Sequence, residues 1–192
     1  MNVYVEITLL PGADIGHHFL WEKVYQQIHL GLADTQMSNG LSAIGIAFPE
    51  YNAEQYQLGT KLRLFAQDQK MLENFNAKKW LNRLTDYVHI TSIRNVPSNV
   101  TSYVRYKRQQ SKSNIERLAR RKAKRERIEF EQALQLLKGR KEILIKAPFI
   151  KISSSSSGQN FQIFIMKEHA SERINNGFSC YGLSTTSTIP NF

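Results

Sequence analysis

Between Arg105 and Arg127, eleven Lys and Arg residues face only Glu116 and Glu126, so 23 residues hold +9 of the chain's net charge of +10. Cations at this density are expected to stay in water or to meet a polyanion, because a cation removed from water without a partner is strongly destabilising. Outside the window 15 basic residues face 14 acidic ones, so the charge is local and the nearly neutral remainder can supply most of a core. A hydrophobic content of 41% is sufficient for that core.

The spacing inside the basic window predicts a helix over about 113–127. At ~100° per residue, Arg117, Arg120, Arg121 and Lys124 share a face, with Ile115, Leu118, Ala119 and Ala123 behind them. Ser113 or Asn114 can cap it, and Glu116 suits the positive end of the helix dipole. A cation stripe of this kind fits a phosphate track, since each neutralised phosphate releases a counterion. A solvated basic arm or a localisation signal has the same composition. The backing face is too small for a membrane-surface helix.

Upstream, Asn2 to Leu10 alternates as a strand and is stopped by Pro11 and Gly12. His17 to Ala33 has the helical period, with Leu20, Trp21, Val24, Tyr25, Ile28 and Leu32 on one face. Ala43 to Phe48 and Lys61 to Ala66 are the next expected strands. A helix capped by Asp68 is expected to run through Phe75 toward Leu84, and Val88 to Val96 is a fourth strand. The order βαββαβ is ferredoxin-like. The fold class is therefore α+β, with a ferredoxin-like domain over 1–97 and a smaller α+β domain over 98–192. The second domain is expected to hold the basic helix, a helical continuation from Ile128 to Leu137, and short strands at Phe149 to Ile152, Phe161 to Met166 and Phe178 to Tyr181.

Cys180 is the single cysteine, which excludes an internal disulfide and implies a reducing compartment. No export signal and no run near the ~20 apolar residues of a membrane span can be read, so a cytoplasmic protein with no membrane partner is expected. His17, His18, His29, His89 and His169 form no metal-ligand spacing. Neither a metal nor a cofactor is expected.

Ser111-Lys-Ser-Asn-Ile-Glu-Arg-Leu-Ala-Arg-Arg121 and Gly177-Phe-Ser-Cys-Tyr-Gly-Leu-Ser184 are distinctive. With His29 late in the first helix, Ile44-Gly-Ile-Ala-Phe-Pro49, and Ser154-x-Ser156-x-Gly158-x-x-Phe161 in order, the chain from Tyr4 to Phe192 resembles the CRISPR repeat-specific endoribonucleases of the type I-F, or Csy, system. The resemblance implies an arginine-rich helix that holds the repeat hairpin of precursor CRISPR RNA, with cleavage at the 3′ base of that hairpin. It also implies retention of the mature guide RNA within a type I-F interference complex of an antiviral system, with a monomer when free.

By the same resemblance His29 is the general base, Ser154 holds the nucleophilic 2′-hydroxyl in line, and Tyr181 helps to orient the site. RNA supplies its own nucleophile, so no metal is needed, and the products end in a 5′-hydroxyl and a 2′,3′-cyclic phosphate or 3′-phosphate. Arg120, Arg121, Lys124, Arg125 and Arg117 correspond to phosphate contacts, and Ser156 to a further RNA contact. Arg108 and Gln110, in a linker before the helix, read base edges, while Phe161 stacks on the terminal base pair. The family pattern has Pro at Ile115 and Arg at Ala119 and Lys124, and Lys cannot reproduce the fork geometry of Arg. On residues alone, His29 reads more readily as a histidine at the rim of a packed helix face, Tyr181 as a buried strand residue and the serine run as a flexible loop. A noncatalytic structured-RNA-binding subunit fits the charge pattern, as does a DNA-binding protein.

Overall fold

The computed structural model describes the chain apart from residues 11, 13, 14, 111–114, 140–143 and 154–157. The described residues form two compact units, one of Met1–Arg108 with Ala147–Phe192 and the other of Gln109–Lys146. The architecture is mixed α and β.

In the larger unit, β1 (Val3–Leu9) pairs antiparallel with β3 (Lys61–Ala66) in the register Val5↔Leu64, and β3 pairs antiparallel with β2 (Gly45–Ala47). On its other edge β1 meets β4 (Val88–Ile90) and β5 (Arg94–Asn95), giving the order β2-β3-β1-β4. Helix α1 (His17–Asp34) buries Leu20, Trp21, Val24, Tyr25, Ile28 and Leu32, the face that the sequence period predicts. Each such side chain contributes about 1.5–3 kcal/mol on leaving water. Asp68 caps α2 (Gln69–Phe75) by accepting from the Met71 N–H at 3.0 Å.

Three expectations need correction in this unit. The helix after Asp68 does not run on unbroken: Asn76, at φ 48°, ends α2, and α3 (Ala77–Trp80) starts afresh. The strand expected over Val88 to Val96 is split, because the Thr91 hydroxyl takes the Glu6 N–H at 3.1 Å and interrupts the backbone ladder. Phe178 to Tyr181 is not a strand: Phe178 bridges to Ser42, and a turn follows in which the Gly182 N–H donates to the Ser179 carbonyl at 2.8 Å.

A second sheet has the order β7-β8-β6-β9, from β6 (Tyr103–Gln109), β7 (Phe149–Ser153), β8 (Asn160–Ala170) and β9 (Ile189–Pro190). β6 occupies what the sequence presents as a linker. Val104 and Tyr106 face the core, and the intervening Arg and Lys disguise the alternation. Ile150, Ile152, Ile163 and Ile165 join the same apolar cluster as α1 and the first sheet, and the Tyr106 hydroxyl donates to the Phe48 carbonyl at 2.8 Å. All strands of the first sheet precede Pro97 in sequence and all those of the second follow it.

The smaller unit contains α4 (Ile115–Glu126) and α5 (Phe130–Leu136). Arg127, at φ 54°, breaks the helical run between them. Ala119 and Ala133, each 0% exposed, are its buried residues, and their small side chains let the helices approach closely.

Candidate functional site

His29 lies three turns into α1, and Tyr181 lies in the turn after Phe178. Their rings stack with centroids 4.2 Å apart and planes 13° from parallel. The His29 Nδ1 is 2.9 Å from the Cys180 carbonyl oxygen. A carbonyl only accepts, so Nδ1 carries the proton in this bond. In the neutral ring the lone pair then lies on Nε2, the nitrogen available to take a proton.

The turn that delivers Tyr181 is moored on the first sheet. Ser42 and Phe178 exchange backbone hydrogen bonds of 2.7 and 2.9 Å, and the Ile46 N–H donates to the Gly182 carbonyl at 2.9 Å. Gly45 is bare so that the Phe178 ring can lie against it, at 2.5 Å from where a Cβ would be. Gly182 sits at φ 68°, and a Cβ there would come within 2.4 Å of Ile46 Cγ1. Gly182→Ala is therefore expected to cost on the order of 2–4 kcal/mol from left-handed strain and overpacking. Urea unfolding checks it, and a midpoint equal to the parent's would mean that the turn is not held here.

Arg108 closes the cluster from β6. Its guanidinium carbon lies 5.4 Å from the Phe161 ring centroid and 5.8 Å from that of Tyr181. Arg108 Nε is buried and has no hydrogen-bond acceptor among the described residues. A cavity of about 430 Å³ beside it is lined by Arg108, Tyr181, Phe178, Ser179, Ser184 and Thr185. Another, of about 590 Å³, is lined by Phe161, Asn160, Lys151, Ser153 and Glu22. The Ser153 N–H reaches the Gln26 side-chain oxygen at 3.2 Å, tying the end of β7 to α1 one turn before His29.

Burial pushes the Tyr181 phenol above its ordinary value and the nearby Cys180 adds to the rise, with Arg108 opposing. Burial likewise raises the Cys180 thiol. Both groups stay protonated at neutral pH, so Tyr181 keeps a donor and Cys180 is no thiolate nucleophile. Among the described residues no three His, Cys, Asp or Glu side chains cluster as metal ligands, and no helix is long and apolar enough to cross a membrane.

His29, Tyr181, Arg108 and Phe161 thus meet within the larger unit, whereas Ser154 and Ser156 lie outside the described residues. Gln110 is exposed in the smaller unit, directly after β6. On α4, Arg120, Arg121, Lys124 and Arg125 are exposed, while Arg117 is half-buried. Arg120 pairs with Glu116 at 3.3 Å and Arg125 with Glu126 at 2.8 Å. The Lys122 ammonium, followed by Arg125, holds the Glu126 carboxyl below its ordinary value. Exposed pairs of this kind are weak and readily exchanged for a stronger anion. The Cys180 carbonyl and Tyr25, whose hydroxyl donates to the Tyr181 carbonyl at 2.9 Å, were missed by sequence reasoning. A backbone acceptor has no letter of its own, but Tyr25 stands four positions before His29 on one helix face, a spacing that could have flagged it.

The family model described as "CRISPR-associated protein (Cas_Csy4)" matches residues 4–192. A protein named CRISPR-associated endonuclease Cas6/Csy4 from Escherichia coli (strain UTI89 / UPEC) is 34% identical over 193 residues, covering 100% of both chains. One of the same name from Pseudomonas aeruginosa (strain UCBPP-PA14) is 31% identical over 195 residues, again covering 100% of both. A solved structure described as "CRISPR associated protein Cas6" aligns over 100% of this chain and 99% of its own at 10% identity and a TM-score of 0.36, too loose a superposition to support a fold assignment.

Proposed function

This chain belongs to the Cas_Csy4 family of CRISPR-associated proteins, and from that premise we propose that it is the endoribonuclease that cuts precursor CRISPR RNA at the 3′ base of each repeat hairpin. His29 Nε2 takes the proton of the 2′-hydroxyl beside the scissile phosphate. The 2′-oxygen bonds to phosphorus, the bond from phosphorus to the 5′-oxygen breaks, and that oxygen leaves with a proton from solvent. A 2′,3′-cyclic phosphate and a 5′-hydroxyl result, with no metal in the reaction.

The observation that carries this reading is the His29 imidazole held by the Cys180 carbonyl at 2.9 Å and stacked on Tyr181 at 4.2 Å, which leaves Nε2 as the basic nitrogen. Ser154 is proposed to fix the 2′-hydroxyl and Ser156 to contact the RNA. Phe161 stacks on the terminal base pair, while Arg108 and Gln110 read base edges of the lower stem. Arg117, Arg120, Arg121, Lys124 and Arg125 hold phosphates along α4, the arginine-rich helix of this reading. A ferredoxin-like domain over 1–97 and a second domain over 98–192 complete the proposed organisation, and the strand order β2-β3-β1-β4 supports the first of these. The cytoplasmic enzyme then keeps the mature guide RNA and joins the other subunits of a type I-F interference complex.

Incubation with a repeat hairpin in excess chelator tests the reaction. Cleavage should persist, and a single 2′-deoxy substitution beside the cut should abolish it without loss of binding. Intact RNA recovered from a saturated wild-type complex would reduce the protein to a noncatalytic RNA-binding subunit. Cutting of the deoxy substrate at an equal rate would remove the 2′-hydroxyl mechanism.

A further inference from the structure

We propose that Tyr25 is a positioning residue for His29, holding the turn whose Cys180 carbonyl selects the imidazole tautomer; this rests on the reading of His29 as the general base. Tyr25 and His29 stand four positions apart on α1 and so project from the same face. Their side chains bond to consecutive carbonyls of one turn. The Tyr25 hydroxyl donates to the Tyr181 carbonyl at 2.9 Å, and His29 Nδ1–H donates to the Cys180 carbonyl at 2.9 Å. Two bonds, one helical turn apart, fix both the position and the orientation of the intervening peptide.

The anchor is present at neutral pH. Tyr25 is 0% exposed, and burial pushes its phenol above the ordinary range, with Tyr181 and Cys180 adding to the rise and Arg108 opposing, so the O–H is retained there. Removing it leaves the Tyr181 carbonyl without this donor and lets the peptide rotate. Once the Cys180 carbonyl drifts, Nδ1 loses its acceptor and the ring proton can move to Nε2. That occupies the lone pair that must accept the 2′-hydroxyl proton. Tyr25 touches neither the reacting hydroxyl nor the phosphate and acts only through the turn.

Tyr25→Phe keeps the ring and removes only the oxygen. Tyr106→Phe is the matched control, since it deletes another buried hydroxyl, bonded at 2.8 Å to the Phe48 carbonyl and not to this turn. Nitrogen-15 NMR of RNA-free protein, with His29 assigned by its loss in His29→Ala, reads the tautomer. Single-turnover cleavage at saturating hairpin reads the rate. Tyr25→Phe should weaken the Nδ1–H signature and slow cleavage roughly three- to tenfold, the range allowed by one neutral hydrogen bond, with hairpin affinity unchanged. Tyr106→Phe should do neither. An unaltered tautomer and rate in Tyr25→Phe, or equal losses in Tyr106→Phe, would overturn the proposal. Wild-type protein that leaves RNA intact would sink the reading of His29 as base, and the NMR comparison would still decide whether Tyr25 sets the tautomer.

Discussion

Replacing His29 by alanine should slow single-turnover cleavage of the repeat hairpin by on the order of 10²–10⁴, the usual contribution of a positioned general base, while its dissociation constant stays within about twofold. The two readouts separate because other side chains are proposed to hold RNA: the cations of α4, Arg108 on β6 and Phe161 on β8. The substitution removes the stack on Tyr181 and the bond to Cys180, but the turn keeps its anchors on Ser42 and Ile46. Rate and affinity can be measured on the same RNA, with a 2′-deoxy version for binding. Cleavage at the parent rate would remove His29 from the chemistry and leave the imidazole as a packed residue.

Alanine at Arg120, Arg121, Lys124 and Arg125 together should flatten the salt dependence of binding. Each neutralised phosphate contributes about 0.7–0.9 to the slope of log affinity against log salt, so four contacts give a slope of about 2.8–3.6. Between 50 and 200 mM salt, those contacts alone should cost the parent protein roughly 50- to 150-fold in affinity. The quadruple variant should bind far more weakly at low salt and lose little more on titration. The fold should survive, because these four side chains are exposed and the buried member of α4 is Ala119. A slope equal to the parent's would place the phosphates somewhere other than this helix.

What the sequence discloses depends on how far each pattern is local. In α1 the apolar positions recur with the helical period over the whole element, so its extent and buried face are readable from composition and spacing. The break at Asn76 was not readable, since α2 and α3 both contribute core side chains, Phe75 and Ala77, on either side of one left-handed residue. β6 was hidden for the opposite reason. Arg105 and Lys107 alternate with Val104 and Tyr106, but their charge matches that of the basic helix and made the whole stretch resemble a linker. At the candidate site, His29 and Tyr181 came from resemblance, and position alone would have left both as packed residues. Their stacking and the Cys180 carbonyl belong to the folded chain: the residues are far apart in sequence, and the acceptor is backbone.

His29 and the carbonyl that orients it are separated by 151 positions, and α4 lies between them. As a nascent chain leaves the ribosome, the cationic rod is complete before Cys180 has been added. On the proposed roles, grip is synthesised before bite: the phosphate-holding cations are in the chain before the acceptor that sets the base.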